Sequence, residues 1–489
     1  MSPFDASAFV VCLLLGLYSR HALARVFVYT LPYIAGNFFY TVHIPINIGR
    51  SSEFALIALG CFGIAGSQRA MKGPFKRAGD ILAVTSLLTV GGLVWVLATS
   101  DTLELWLQTP LERAIRSTLR EITFWLVPIA VANSIKNAAE ARVLLRDFIL
   151  AGVVYSLLGL GQFAIASVTG VDIFPITRLV ENSLQLQNMV GDGTQGRITS
   201  ICGEPRYFSS FLTAWMFLTV MIGSVAGFRP MQVGVLSFLF LFTNILTASR
   251  SGLAGAVMIL AAMIVVSLVV GEEQLRRRAN QLIAVVLVGA AASALISGLA
   301  IRDRIGSTQD LTSDRITIGG YDLPIEYQDD QALRLFIEKP ASLVRGFGNG
   351  LWQYSTDPSS NLGFKRGYFE QGVAGIDSMR QNISALGFLV NYGIIGVWAA
   401  LQFYKECFRI SGANRVLRRQ FRPAAITLIA ATFSAATTDV YCHVMFIVVI
   451  MLWHQNHMEN LYGKSRDAGH IPTPQRQFAL GHLQPERAH

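Results

Sequence analysis

The sequence predicts an all-α fold, a polytopic transmembrane helical bundle of about 12–13 spans with a large loop cap on its outer side. Long apolar runs recur from one end of the 489-residue chain to the other. Charged residues make up only 15% of the chain, whereas soluble domains contain about 25%. The runs lack the alternation of a barrel strand, so helices are the elements that can satisfy their own backbone groups in lipid.

The apolar runs are interpreted in order as membrane spans. The first is included because it has neither the basic segment nor the cleavage site of a signal peptide. The spans lie near 6–18, 24–45, 53–66, 81–98, 119–134, 149–170, 208–227, 231–248, 252–270, 282–300, 384–404, 424–437 and 441–455. They divide the chain into N-terminal helices (1–170), central helices with a first outer loop and a hairpin (171–301), a large outer loop (302–383), C-terminal helices (384–455) and a tail (456–489).

Basic residues give the bundle an orientation. Arginine and lysine concentrate in the segments 67–80, 135–148, 271–281 and 405–423, which share one side when the spans are counted alternately. Membrane proteins collect such residues in cytoplasmic loops, so this side and the tail are predicted to be cytoplasmic. The same rule accounts for the formal net charge of +9, and we expect no nucleic-acid partner. The composition of the tail predicts disorder.

The outer side carries a loop, 302–383, that is too long for a plain connector. Its glycines, aromatic residues and acidic residues predict a folded cap of short helices and turns. The chain shows no internal repeat and no inverted pair of broken spans, which argues against a secondary transporter. The five cysteines follow no metal-ligand spacing, so we predict neither a disulfide framework nor a metal site.

Charged residues on the outer side stand at the ends of two predicted spans. Arg197, Glu204 and Arg206 precede the span near 208–227, and Arg250 lies in "LTASRSGLAG", the short connection after the next span. These arginines could simply extend to lipid headgroups. However, arginine near spans is depleted on the outer side, and an ionisable residue at membrane depth is a functional hypothesis by default.

The chemistry of these side chains favours a phosphate ligand. The planar guanidinium of arginine binds phosphate oxygens bidentately, so several arginines at the outer boundary suit a pyrophosphate attached to a lipid. Glu204 could brace an arginine as an ion pair or act as a carboxylate base. Pro205 fits the first turn of a helix, where its missing N–H costs nothing. The N–H groups of a helix that begins there would also favour an anion.

Four stretches carry a resemblance to a known superfamily. They are "GRITSICGEPRYFSSFL" (196–212), "LTASRSGLAGAVMIL" (246–260), "ALRLFIEKPASLVRGFGNGLWQYS" (332–355) and "RQNISALGFLVNYGIIGVWAAL" (380–401). Together with the long outer loop, they resemble the O-antigen ligase and O-antigen polymerase superfamily of bacterial inner-membrane glycosyltransferases. Their order and spacing carry the likeness, which covers about 195–405.

The resemblance implies a multi-pass glycosyltransferase of the bacterial inner membrane whose active site and large loop cap are periplasmic. The donor would be a glycan on undecaprenyl pyrophosphate, transferred to an acceptor hydroxyl without any cofactor or metal, and arginines would stabilise the leaving pyrophosphate. Membrane lipids, a flippase and a chain-length regulator are candidate partners. The implied catalytic residues are Glu204, Arg206, Arg250 and Asp439, and the implied substrate-binding residues are Arg197, Arg334, Arg380, Gln381 and Asn382.

The chain departs from the ligase pattern at one position. Ligases place a histidine, the expected base, before the asparagine that corresponds to Asn382, whereas this chain has Gln381, which cannot take a proton. The departure favours a polymerase, with its base elsewhere. The open candidates for the base are Glu204, Glu370, Asp377 and Asp439, and His443 is the histidine close to the last of these.

Three alternatives to a polysaccharide polymerase stay open. A ligase of the same superfamily would join the glycan to lipid A-core or to another acceptor. A transporter of lipid-linked oligosaccharides should line a central cavity with charges, and the predicted spans contain almost none. A non-catalytic scaffold is the third alternative.

The arginine asymmetry makes a testable prediction about topology. A cysteine introduced by Ser355→Cys in the large loop should react with a membrane-impermeant thiol reagent in intact cells whose outer membrane has been permeabilised. A cysteine introduced by Arg415→Cys should not react, because the positive-inside rule places that segment in the cytoplasm. Labelling of position 415 but not of position 355 would reverse the orientation.

Overall fold

The fold is given by a computed structural model in which part of the chain is described. The described residues are 3–36, 87, 90, 91, 94, 134, 135, 137–169, 198, 200–202, 205–247, 249, 257, 260, 261, 264, 265, 276, 277, 280, 281, 283–288, 315–318, 321–324, 336, 337, 340–345, 389, 393–395, 397 and 398. These residues are predominantly helical, in agreement with the predicted fold class.

Five helices form the described bundle. They are α1 (Pro3–Tyr18), α2 (Arg20–Gly36), α3 (Ala138–Thr169), α4 (Pro205–Ile222) and α5 (Pro230–Leu246). Each coincides with a predicted span, although α3 begins well inside the segment that was predicted to connect two spans. Asn137 explains this earlier start, because its side-chain oxygen accepts a hydrogen bond of 2.9 Å from the N–H of Glu140 and caps the helix.

One described helix is long and apolar enough to cross a membrane. It is the Ala139–Thr169 stretch of α3, which at 1.5 Å per residue exceeds the roughly 30 Å of a hydrocarbon core. The stretches Phe208–Val220 and Pro230–Leu246 are shorter apolar helices. Large apolar side chains are exposed on the outside of α1, α3 and α5, among them Leu17, Leu157 and Val235.

The contacts between helices give their relative directions. Arg25 and Tyr29 of α2 contact Asp147 and Tyr155 of α3 in the same order along both helices, so α2 and α3 are parallel. Contacts between α3 and α4 run in the opposite order, because Gly152 faces Trp215 and Gly159 faces Phe208. The contacts from α4 to α5 also run in opposite order.

Trp215 of α4 is the centre of the core. Its ring is fully buried and lies 5.5–6.1 Å, centroid to centroid, from four aromatic rings on α3, α4 and α5, which belong to Phe148, Tyr155, Phe211 and Phe240. Gly152 makes this approach feasible, since a Cβ there would lie 2.7 Å from the indole ring. Within the described residues the indole N–H has no hydrogen-bond partner, so ring packing sets its position.

A short turn joins α4 to α5. It includes Gly227 at φ +91°, a conformation that glycine adopts without steric cost. The N–H of Arg229 then donates a hydrogen bond of 2.8 Å to the side chain of Gln232, and Pro230 opens α5. The guanidinium of Arg146 on α3 lies 5.9 Å from the centroid of the Phe228 ring, which attaches this turn to α3 by a cation–π contact.

An ion pair joins α2 to α3. The carboxylate of Asp147 is almost fully buried and accepts hydrogen bonds from Arg25 Nε at 2.5 Å and from the Tyr29 hydroxyl at 3.4 Å. Tyr29 lies four residues after Arg25 on α2, and its backbone carbonyl accepts a hydrogen bond of 2.9 Å from the Tyr155 hydroxyl. These polar contacts fix the register of two helices that are far apart in the sequence.

The predicted cap contains a β-hairpin, which the expectation of short helices and turns did not include. Strand β1 (Arg315–Ile318) pairs antiparallel with β2 (Tyr321–Pro324), with Ile318 opposite Tyr321. The β-branched residues of "RITI" favour a strand, and the Gly-Gly pair that follows favours a tight hairpin connection. A short helix, α6 (Pro340–Arg345), agrees with the helical part of the expectation.

Removal of the buried carboxylate should destabilise the bundle. We expect Asp147→Ala to lower the free energy of unfolding by roughly 1–3 kcal/mol, because Arg25 and Tyr29 lose their shared acceptor. Asp147→Asn should cost less, since the amide oxygen can still accept one hydrogen bond. Thermal unfolding of the purified protein in detergent measures both, and equal melting temperatures for Asp147→Ala and the unaltered protein would contradict the role of the pair.

Candidate functional site

Most of the residues proposed from sequence for the site lie outside the described residues. These are Arg197, Glu204, Arg250, Arg334, Arg380, Gln381, Asn382 and Asp439, together with the further base candidates Glu370, Asp377 and His443. The backbone of Arg206 lies in the first turn of α4, one residue after Pro205. The prediction that a helix begins at Pro205 is therefore confirmed. The candidate site is defined by the described backbone that flanks the residues proposed from the sequence.

A 3₁₀ turn, Ser200–Cys202, precedes α4 and is attached to α3. The N–H of Ser200 donates a hydrogen bond of 2.9 Å to the side-chain oxygen of Gln162, and the Ser200 hydroxyl donates one of 2.9 Å to the carbonyl of Tyr155. Ser200 has φ +50°, a region that residues other than glycine rarely adopt. The turn is thus held on α3 by a backbone contact and a side-chain contact.

Buried apolar atoms flank the same turn. Ile198, two residues before Ser200, is 1% exposed and lies beside Gly159 of α3. Cys202 is fully buried and its thiol is free. Burial raises the pKa of the Cys202 thiol well above its usual range, which makes the thiol a poor nucleophile.

A closed ring of hydrogen bonds joins α4 to α5 just beyond this turn. The Ser209 hydroxyl donates to the side-chain oxygen of Asn244, and the amide nitrogen of Asn244 donates to the Thr213 hydroxyl at 2.9 Å. Thr213 in turn donates to the carbonyl of Ser209 at 2.9 Å. Ser209, Thr213 and Asn244 are all buried, so the ring connects the beginning of α4 to the end of α5 inside the bundle.

The end of α5 is also hydrogen-bonded inside the protein. The Thr247 hydroxyl donates to the carbonyl of Asn244 at 2.6 Å, and the N–H of Ser249 donates to the Thr247 hydroxyl at 3.2 Å. Both residues are buried. The backbone therefore reaches position 249 within the core, and Arg250 is the next residue in the sequence.

These contacts hold described residues that neighbour three of the proposed arginines in the sequence. Ile198 follows Arg197, Arg206 belongs to α4, and Ser249 precedes Arg250. The residues that make these connections were not predicted from the sequence; they are Gln162, Ser200, Ser209 and Asn244. A signal for two of them was present, because Gln162 and Asn244 are polar amides within otherwise apolar spans, where polar groups are costly and often functional.

No cofactor or metal ligand set is evident in the part of the chain that the structure describes. There, no group of three or more His, Cys, Asp or Glu side chains is arranged to hold a metal ion. The described polar side chains of the site are hydroxyls and amides, which donate and accept hydrogen bonds but carry no charge.

No protein-family model and no curated protein matches the chain.

The ring through Asn244 makes a prediction about stability. Asn244→Leu keeps the size of the side chain but removes the acceptor of the Ser209 hydroxyl and the amide that donates to the Thr213 hydroxyl. We expect a loss of about 1–2 kcal/mol, the upper part of the range for hydrogen bonds between membrane helices. Thermal unfolding of the purified protein measures the loss.

A matched control lies on the same helix. The Ser237 hydroxyl is buried and has no hydrogen-bond partner among the described residues, so Ser237→Ala should change the free energy of unfolding by less than about 0.5 kcal/mol. If the two variants unfold at the same temperature, the ring does not fasten α4 to α5.

Proposed function

We propose that this chain is a polysaccharide polymerase of the bacterial inner membrane, related to the O-antigen ligase and polymerase superfamily. It transfers a glycan from undecaprenyl pyrophosphate to the hydroxyl of an acceptor glycan at the periplasmic face. The four sequence stretches with the order and spacing of that superfamily suggested this function. The glutamine at position 381, in place of the histidine of ligases, favours polymerisation over ligation.

The observation that supports the proposal most is the ring of hydrogen bonds through Asn244. It attaches the first turns of α4, which include Arg206, to the last turns of α5, after which Arg250 follows. The two motifs "GEPR" and "SRSG" are more than 40 residues apart in the sequence. Their described flanking backbone nevertheless meets at one end of the bundle, as a shared phosphate site requires.

The directions of the helices support the proposed topology. With three spans between 53 and 134, alternate counting makes α2 and α3 parallel, and it makes α4 antiparallel to both of its neighbours α3 and α5. The order of the contacts described above gives the helices these same directions. The exposed apolar side chains of α1, α3 and α5 suit contact with lipid or with other membrane helices.

In the proposed mechanism, arginines supply the electrostatic stabilisation. Arg206 and Arg250 bind the pyrophosphate through paired N–H groups. This binding becomes stronger as negative charge develops on the leaving lipid pyrophosphate. Arg197, Arg334 and Arg380 bind the remaining phosphate and glycan oxygens, with Gln381 and Asn382 as hydrogen-bonding groups. An acidic side chain, Glu204 or Asp439, takes the proton of the attacking hydroxyl.

The arginine variants test this mechanism directly. Arg206→Ala and Arg250→Ala should each lower the rate of polymer formation about a hundred- to a thousandfold, the cost of losing one charge-assisted contact to a developing oxyanion. Arg→Lys at either position should restore activity only in part, because an ammonium group lacks the bidentate fork. The measurement is the length distribution of polymer made by purified protein from lipid-pyrophosphate-linked repeat units in the presence of EDTA.

The same assay contains its controls. Arg229→Ala is matched to these variants because Arg229 is exposed at the opposite end of the α4–α5 pair, and it should retain full activity. Gln381→Ala should have a mild effect, since glutamine is no base. Full activity of the Arg206→Ala and Arg250→Ala proteins would exclude the arginine mechanism, and activity that requires added magnesium would exclude its metal-free form.

Glu204→Gln separates two roles of the carboxylate. If Glu204 is the base, activity is lost. If it braces an arginine, part of the activity survives, since the amide oxygen still accepts that hydrogen bond. Product attached to lipid A-core, with no growth of the glycan itself, would assign the protein as a ligase.

A further inference from the structure

We infer that Gln162 and Ser200 are positioning residues of the transferase site. They form a clamp, defined as the two hydrogen bonds from Ser200 to Gln162 and to the Tyr155 carbonyl, which holds the 3₁₀ turn on α3. In the sequence the clamp lies between Arg197 on one side and Glu204 and Arg206 on the other. This inference rests on the proposed function, because the segment is assigned there to the binding of pyrophosphate.

The backbone of Ser200 is the first reason. A serine at φ +50° occupies a region that is sterically costly for a residue with a side chain. Such a conformation persists only where the surroundings enforce it, and it is often found at functional sites. Here the surroundings are two buried hydrogen-bond acceptors on α3, and Gln162 itself is 1% exposed.

The shortness of the chain between the clamp and α4 is the second reason. Only Gly203 and Glu204 separate Cys202 from Pro205, the first residue of α4. This two-residue segment is attached to described backbone at both ends. Consecutive Cα atoms are only 3.8 Å apart, so the segment has little length with which to absorb a shift of the turn. The position of Glu204 and the start of α4 therefore depend on where the clamp holds the turn.

Ile198, on the other side of the turn, is also attached to α3. Its side chain is buried beside Gly159, and Arg197 is its neighbour in the sequence. A shift of the turn away from α3 would move the backbone at both 198 and 205. Displacement of a binding group by about 1 Å is enough to slow an enzyme about a hundredfold, so the clamp should affect turnover more than substrate affinity.

Cys202 provides a readout that does not require activity. Its thiol is buried and unreactive when the turn is held on α3, and it becomes accessible when the turn detaches. The rate of its alkylation by N-ethylmaleimide can be followed by mass spectrometry of the peptide that contains Cys202, in the full-length protein reconstituted in lipid bilayers. The kcat and KM for a lipid-pyrophosphate-linked glycan are measured on the same samples.

Two variants break the clamp and two matched variants leave it intact. Gln162→Met keeps the length of the side chain but removes the acceptor, and Ser200→Ala removes the donor hydroxyl. The controls are Leu157→Met, at an exposed position of α3, and Ser156→Ala, which removes a buried hydroxyl that has no partner in the part of the chain that the structure describes. Gln162→Glu is the conservative variant, because a carboxyl oxygen can still accept the N–H of Ser200.

We expect Gln162→Met and Ser200→Ala to raise the alkylation rate of Cys202 about tenfold, as the loss of one buried hydrogen bond would. Their kcat should fall about tenfold or more while KM changes by less than about twofold. Gln162→Glu, Leu157→Met and Ser156→Ala should stay close to the unaltered protein in both measurements.

Two results would overturn the inference. Unchanged alkylation of Cys202 in both clamp variants would show that the turn is held without the clamp, and raised alkylation with unchanged kcat would show that the clamp positions nothing. A failure of the proposed function is distinguishable from both, because the unaltered protein would then form no polymer while the alkylation rates would still report the state of the clamp.

Discussion

The seating of Trp215 against Gly152 is the contact on which the described bundle depends. The indole ring touches α3 where a glycine removes the Cβ that would otherwise obstruct it, and it also packs on Phe240 of α5. One side chain thereby holds three helices together. Gly159, seven residues after Gly152 on α3, makes room in the same way for the ring of Phe208, which lies seven residues before Trp215 on α4. An interior that is packed to high density has little freedom to slide, so these ring contacts determine which polar groups can face one another.

Polar contacts then specify what the apolar packing permits. Hydrogen bonds between membrane helices contribute only about 0.6 kcal/mol on average, so the rings at Trp215 stabilise the bundle and the polar groups specify its register. Their distribution is uneven. Ser200 and Asn244 make side-chain hydrogen bonds near the start of α4 and the end of α5, whereas the buried hydroxyls of Thr219 and Ser237, nearer the opposite end, have no partner among the described residues. That opposite end is held instead by the ion pair between Arg25 and Asp147.

Patterns in the sequence predicted the helices, but they did not predict the hydrogen bonds that connect one helix to another. Apolar runs indicated three central helices, and Pro205 indicated where α4 begins. The early start of α3 was missed because the capping residue Asn137 stands within a basic segment that resembled a loop. The hydrogen bonds of Ser200 and Asn244 reach residues 38 and 35 positions away. No local periodicity encodes such pairs, because the partners are selected by the packing of whole helices.

The arginine-based phosphate site that we propose would need this kind of support. The arginine side chain has about 2 kcal/mol of rotamer entropy to lose when it is held in one place, and a site without a metal must obtain its preorganised charge from such side chains. A backbone that is already fixed lowers that cost, since only the side-chain torsions remain to be ordered. The clamp at Ser200 and the ring at Asn244 fix the described backbone next to Arg197, Arg206 and Arg250. Uncharged hydrogen bonds in an apolar interior are well suited to this role, because they hold the chain in place without competing electrostatically for the phosphate.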